Sequence, residues 1–218
     1  MAPSPQDFQH LYEKLGDRYD SILVLTLSSQ LSPVAAHALT AAKRLRNPAR
    51  VEVLDTKTIS VGMGWLVAQA AGAAYAGETA GTIVNQVRST APRIYTLFFL
   101  PELGPLSQAG QLSQAQALVA RMLGILPIFI LEEGLLAPLE KVHSLRSGLE
   151  YFEEFLDEFE FPRQVALTHG TGVTRVKMSP LRQHIQEVHP ASHFSEQLFS
   201  PHLEALLGPQ SFGMAIMQ

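Results

Sequence analysis

The sequence contains no cysteine, which excludes a disulfide framework, a thiolate metal site and a cysteine nucleophile. Such a chain fits a reducing compartment, and cytoplasm is the expected location. No apolar run approaches the roughly 18 residues that a membrane-spanning helix needs. The opening residues Met1-Ala2-Pro3-Ser4-Pro5 carry neither a cationic segment nor an apolar stretch, so no secretory signal is read there. Basic charge is scarce: sixteen Lys and Arg stand against twenty Asp and Glu, for a formal charge of −4. Without a basic patch, nucleic acid is not an expected partner. Three catalytic signatures are also missing: H-E-x-x-H, G-x-S-x-G and the Gly-Lys-Ser/Thr of a P-loop.

The chain does have material for a core. Of its 218 residues, 46% are hydrophobic and 17% charged, too apolar for a disordered chain and long enough for one large domain or two small ones. Ser4-Pro5 reads as an N-cap followed by proline at the first helical position, with Phe8, Leu11, Tyr12 and Leu15 at helical spacing. Residues 21–27 (SILVLTL) and 51–54 read as strands. A helix starts at Ser32-Pro33 and stops at Asn47-Pro48. Helices over 60–76 and 78–89 precede a strand over 94–100. Two short helices (101–108 and 113–123) lead to a hairpin, residues 126–131 and 135–139, around Glu132-Glu133-Gly134. A long helix over 144–159, strands at 164–168, 192–198 and 212–217, and helices at 179–188 and after Pro201 complete the chain. The alternation of strand and helix is that of βαβ units. The expected join lies near Pro92, giving an N-terminal α/β domain over 1–92 and a C-terminal α/β domain with a hairpin over 93–218.

Four groups of residues carry candidate chemistry. Leu27-Ser28-Ser29-Gln30-Leu31-Ser32 follows a strand and opens a helix. Ligands of open α/β sheets bind at such strand ends, and helix N-termini favour anions. Plain N-capping also explains serine there, and the local pattern favours it. The segment from Asp55 through Ser60, Gly62 and Gly64 follows the next strand. Its glycines allow close approach of a ligand or of another backbone, and helix–sheet packing is the plainer reading. His169 ends a strand, and His184, His189, His193 and His202 follow without a metal-ligand spacing. Solvated or structural roles suit them best. The acidic helix from Glu150 to Glu160 reads as amphipathic with a solvated face.

Several segments together resemble the DegV family of bacterial fatty-acid-binding proteins. Residues 20–38 (DSILVLTLSSQLSPVAAHA) look like the family's strand followed by S-S-x-L-S-G-T. Residues 53–71 (VLDTKTISVGMGWLVAQAA) are similar to its V-x-D-S/T-x-x-x-S-x-G-x-G segment. Residues 95–112 look like the strand and L-x-x-L-x-x-G-G-R-I stretch. Residues 124–142 (GILPIFILEEGLLAPLEKV) match the L-x-I-K-P-I-L hairpin apart from its Lys. Gly208-Pro209-Gln210-Ser211-Phe212-Gly213 resembles the closing H-x-G-P-G-x-x-G. Order and spacing extend over nearly the whole chain.

The resemblance implies two α/β domains with a long-chain fatty acid buried between them, its carboxylate held by hydroxyls, and a partner fatty acid kinase that phosphorylates it. It implies no resident cofactor or metal and no catalysis by the chain itself. On this reading Ser28 and Ser29 lie in the carboxylate-binding loop, which reverses the preference for capping. Ser60, Gly62, Gly64, Gly208 and Pro209 join them as ligand-binding positions. The departures are specific. Gln111 stands for the Arg of G-G-R-I, His143 for the hairpin-exit Arg (with Arg146 near), Leu206 for the His before G-P, and Pro33-Val34 for Gly-Thr. The family's preceding strand-helix unit, with S-T-x-D-L, is not in this sequence. Residues 3–8 look like the end of T-S-Q-P-S-P-x-D-F, so its ligand-binding Thr would fall before Met1. The first sheet is therefore expected to be incomplete, and its open edge calls for a homodimer or another subunit. Gln111, His143 and Leu206 are expected to weaken acyl-phosphate formation, and His143 and Arg146 to face a partner. The competing expectation is a non-catalytic interaction or scaffold subunit that has lost lipid binding. A third, an independent hydrolase, requires His169 or His202 within about 3 Å of a serine hydroxyl.

Overall fold

The computed structural model describes residues 2–45, 50–174 and 176–218. The helix stop expected at Asn47-Pro48 lies outside the described residues. The chain divides into two units, one of Met1–Ile59, Met63–Pro92 and Glu133–Leu135, the other of Ser60–Gly62, Arg93–Glu132 and Leu136–Gln218.

Helix α1 (Pro5–Gly16) opens the first unit. The Ser4 side chain accepts the Asp7 N–H, and the Asp7 carboxylate accepts the Ser4 N–H at 2.7 Å. This reciprocal box satisfies donors that a helix start leaves open. There follow β1 (Ser21–Thr26), α2 (Val34–Arg44), β2 (Arg50–Asp55), α3 (Ser60–Tyr75) and α4 (Ala80–Thr90). Strands β1 and β2 pair in parallel, from Ser21↔Arg50 to Thr26↔Asp55, a pairing that needs a crossover such as α2. The core here is small. Tyr12, Ile22 and Ala41 are buried, with Phe8, Val24 and Val51 against them. Ala35, Ala38 and Ala41 line the inner face of α2 at three-residue spacing. The buried Tyr12 hydroxyl donates to the Ala38 carbonyl at 3.3 Å, and desolvation pushes its pKa up to about 12.

The second unit is built from β3 (Ile94–Phe99), α5 (Gly104–Gln108), α6 (Gln114–Met122), β4 (Leu126–Glu132), β5 (Leu135–Val142), α7 (Leu145–Asp157), β6 (Gln164–His169), α8 (Ser179–Val188), β7 (His193–Leu198), α9 (Pro201–Leu207) and β8 (Phe212–Met217). Its mixed sheet runs β5-β4-β3-β8-β6-β7. β3 pairs antiparallel with β4 and β8, and β6 pairs antiparallel with β8 and parallel with β7. Side chains alternate across a strand. Leu97 and Phe99, Val165 and Leu167, and Met214 and Ile216 share one core with α7 and α8. Phe98, on the opposite face of β3, meets Phe199 edge-on. Covered on both faces, β3 needs apolar residues in succession, which is why 94–100 reads as an unbroken run.

Among the boundaries that differ from expectation, two have clear local reasons. Pro105 occupies the first turn of α5, so that helix opens at Gly104 and not at Pro101. Glu132 is the last residue of β4, and the turn itself is Glu133-Gly134. Both turn residues have positive φ, 49° and 86°. This is the backbone of the two-residue hairpin turn that follows the twist of its strands. Among the described residues no helix is long and apolar enough to cross a membrane.

Candidate functional site

In the first unit, the loops after β1 and β2 interlock through polar groups. Ser28 is fully buried. Its N–H donates to the Thr58 carbonyl at 3.0 Å. Its hydroxyl donates to the Gly134 carbonyl at 2.6 Å, and its Oγ accepts the Gln30 N–H at 3.2 Å. Exposed Ser29 donates its N–H to Asp55 Oδ2 at 3.2 Å, and Asp55 Oδ1 accepts the Lys57 N–H at 2.9 Å. One carboxylate therefore ties the two loops together. Among the described residues the Ser29 hydroxyl has no hydrogen-bond partner.

The sequence placed Ser28 and Ser29 at a helix N-terminus, and the structure corrects this. Helix α2 begins at Val34, and its N-cap is Pro33, with no side-chain cap. Pro33 has no N–H to order and no oxygen on its side chain. The two serines thus belong to a turn ahead of the helix.

Lys57 forms an ion pair with Glu133. The Glu133 hydrogen bond, and then its charge, raise the Lys57 ammonium above its ordinary pKa; Asp55 adds to this and desolvation opposes it. Lys57 and Glu133 both adopt positive φ without being glycine, as does Ser60. Gly64, on α3, is exposed, and a Cβ there would meet nothing within 4 Å. Helix–sheet packing therefore does not require glycine at that position. Gly62 is buried.

The second unit holds the other expected residues. Gly208 ends α9 at a φ of 94°. The Pro209 carbonyl accepts the Gly172 N–H, and the Ser211 carbonyl accepts the Gly170 N–H, both at 2.9 Å. A side chain at Gly170 would collide with the Pro209 carbonyl, so the loop after β6 needs glycine there. Leu206 is half-buried on α9. Gln111 is exposed between α5 and α6, with its N–H on the Leu106 carbonyl at 3.1 Å. His143 is exposed, with Nδ1 3.2 Å from the Gly124 carbonyl, and Arg146 pairs with Glu150 along α7.

A cleft of about 620 Å³ lies beside α5 and α6, with Leu103, Pro105, Leu118 and Leu126 on its walls and Arg121 at its lining. Among the described residues, the buried Ser107 hydroxyl on that lining has no hydrogen-bond partner. Helix α6 buries none of its residues fully, and Leu118, Val119 and Met122 are exposed. His169 is buried, with Nδ1 3.0 Å from the Gly170 carbonyl and Nε2 3.6 Å from Glu196. Arg182 holds Glu196 through two bonds of 2.8 Å. Among the described residues neither the His169 ring nor the His202 ring hydrogen-bonds a serine hydroxyl, the contact that a hydrolytic pair requires. Among the described residues no group of three or more His, Asp or Glu is placed to hold a metal ion.

Ser28 and Ser29 thus come together in the first unit. Ser60, Gly62, Gln111, Leu206, Gly208, Pro209, His143 and Arg146 belong to the second, and Gly64 to the first. Sequence reasoning missed Lys57, Glu133 and Gly134 as neighbours of Ser28. The signal available was a glutamate at a turn position where Asn, Asp or Gly is usual.

The family model described as an uncharacterised protein, DegV family, matches residues 1–218. A DegV domain-containing protein of Caldanaerobacter subterraneus is 29% identical over 169 residues, covering 76% of this chain and 60% of that protein. The match therefore spans less than two thirds of that relative's length. Among solved structures, a fatty acid binding DegV family protein from Streptococcus agalactiae superposes with a TM-score of 0.88 at 22% identity, covering 99% of this chain and 77% of that one. The fatty acid kinase (Fak) B3 protein of Streptococcus pneumoniae, loaded with linoleic acid, gives 0.86 at 18% identity, covering 99% and 76%. These likenesses establish the same mixed α/β fold. With a family model that matches from end to end, this chain belongs to the DegV family.

Proposed function

We propose that this chain binds a long-chain fatty acid, or an apolar acid of similar shape, and that any phosphorylation of the bound acid is done by a partner kinase. The observation that carries the reading is the whole-chain match to the DegV family, whose solved relatives include one that binds fatty acid and one loaded with linoleic acid. The chemistry of each unit suits it. A carboxylate taken out of water requires donors. In the first unit, among the described residues, the Ser29 hydroxyl has no hydrogen-bond partner beside Ser28. In the second, the cleft of about 620 Å³ lies in the range of small-molecule sites, and its lining mixes apolar side chains such as Leu118 and Leu126 with polar ones such as Gln108 and Arg121. Ser60, Gly62, Gly64, Gly208 and Pro209 contribute backbone to binding. Gln111, His143 and Leu206 weaken acyl-phosphate formation on the bound acid, and His143 and Arg146 face a partner.

Native mass spectrometry of protein purified without added lipid, followed by denaturing extraction, tests this. The expected result is fatty acid at near one per chain, with Ser29→Ala lowering oleate affinity roughly tenfold, the worth of a hydrogen bond to a charged group. A clean apo mass that takes up no added oleate overturns it. A second reading, an interaction subunit without lipid, draws on the Ser28 hydroxyl being already committed to Gly134. A stable homodimer or complex with that clean apo mass would favour it.

A further inference from the structure

Ser28 Oγ carries one proton, and that proton is spent on the Gly134 carbonyl at 2.6 Å. Its acceptor side already takes the Gln30 N–H. A ligand carboxylate can receive the Ser28 proton only if Gly134 gives it up, because a hydroxyl has a single donor. Gly134 is the tip of the β4–β5 hairpin. A second contact holds the same tip: Glu133, beside it, pairs with Lys57. Both partners of that pair adopt left-handed backbone, at φ 49° and 54°. Such a conformation is costly for residues with a side chain and persists where surrounding contacts enforce it. The turn itself asks for the positive φ of Glu133, and the ion pair adds a second hold on the tip beside the Ser28 bond.

We infer that the hairpin tip is a latch displaced by the ligand: the Ser28 hydroxyl bonds Gly134 when the site is empty and the ligand carboxylate when it is filled. This rests on the fatty-acid reading above. Loading then removes one of the two holds on residues 133–135 and passes the state of a buried serine to an exposed acidic turn. The Lys57–Glu133 pair keeps the tip near its empty-state position and opposes loading.

Hydrogen exchange of the 133–136 segment in the full chain, with and without saturating oleate, tests the latch beside a direct measurement of oleate binding. Oleate is expected to speed exchange at the tip several-fold. Ser28→Ala is expected to speed it without any ligand. Lys57→Met separates the latch from simple charge attraction. Loss of an exposed pair that opposes loading tightens oleate binding about two- to threefold, whereas loss of an attracting cation weakens it. Failure of the wild type to bind oleate overturns the fatty-acid reading, and the exchange of partners with it. Oleate bound with an unchanged tip, or weaker binding in Lys57→Met, overturns the latch alone.

Discussion

Replacing Gly134 with alanine probes the contact on which the loop cluster depends, and its cost can be worked out against an internal control. Gly134 has a φ of 86°, and Gly77, at the end of α3, has a φ of 83°. Placing an L-residue in this backbone costs about 1 kcal/mol at either position. A Cβ at Gly77 would meet nothing within 4 Å, so Gly77→Ala carries that cost alone. At Gly134 the new Cβ would collide with Ser28 Oγ and lie 3.3 Å from Ser28 Cβ and 3.5 Å from Lys57 Cα. Ser28 is fully buried, so Oγ can turn away only by dropping its bond to the Gly134 carbonyl, a further loss of about 1–3 kcal/mol. Gly134→Ala should therefore cost about 2–4 kcal/mol and Gly77→Ala about 1, read from urea unfolding midpoints at constant slope. In a Ser28→Ala background the colliding atom is gone, and the excess at Gly134 should fall below about 1 kcal/mol. Equal losses at the two glycines, or an excess untouched by Ser28→Ala, would refute the geometry.

Two further predictions concern the cores. Arg182→Met removes both bonds to Glu196, whose side chain is only 10% exposed, and should cost about 3 kcal/mol, near 6–12 °C in melting temperature; Glu196→Gln in the same chain should recover much of this, and strictly additive losses would contradict a coupled pair. Tyr12 has its pKa pushed up to about 12 by burial, so the folded state holds the phenol proton more tightly than the unfolded chain does. Stability from this source is present below pH 10 and falls by about 2 kcal/mol as pH rises from 10 to 12. Tyr12→Phe should flatten that slope, and an unchanged slope in alkaline unfolding curves would assign it elsewhere.

The strands and helices were legible where a single period dominates. Residues 94–100 announce a strand because β3 is covered on both faces, and Ser4-Pro5 announces a helix because capping is chemistry local to a few residues. The loop at 28–32 misled for the same reason. Serine after a strand and before Pro33 looks like a cap, yet proline at the cap position offers no side-chain oxygen, and Ser28 turns to a carbonyl more than a hundred residues away. No local pattern carries such a pairing. Lys57 and Glu133 were hidden in the same way, since each reads alone as a solvated charge. Gly64 misled in the other direction: a glycine in a helix suggests tight packing, yet a Cβ there would meet nothing within 4 Å.

Leu206→His tests whether residue 206 belongs to the proposed head-group site. The resemblance to DegV sequences puts a histidine there, ahead of Gly208-Pro209, and leucine can donate nothing to a carboxylate. The fold tolerates the exchange: Leu206 is half-buried in the last turn of α9, so loss of its apolar contact costs at most about 1 kcal/mol. A cationic imidazole near a helix C-terminus is also favoured by the helix dipole. If residue 206 faces the carboxylate, Leu206→His adds a charge-assisted hydrogen bond of about 1.5–3 kcal/mol. That is a gain of roughly ten- to a hundredfold in oleate affinity, larger at pH 6 than at pH 8 because the protonated ring is the better donor. Isothermal titration at the two pH values reads both effects at once. Tighter binding with that pH dependence places residue 206 at the head group. Unchanged affinity in a variant that melts like the wild type would remove position 206 from the site and leave the hold on the acid to the serine loop.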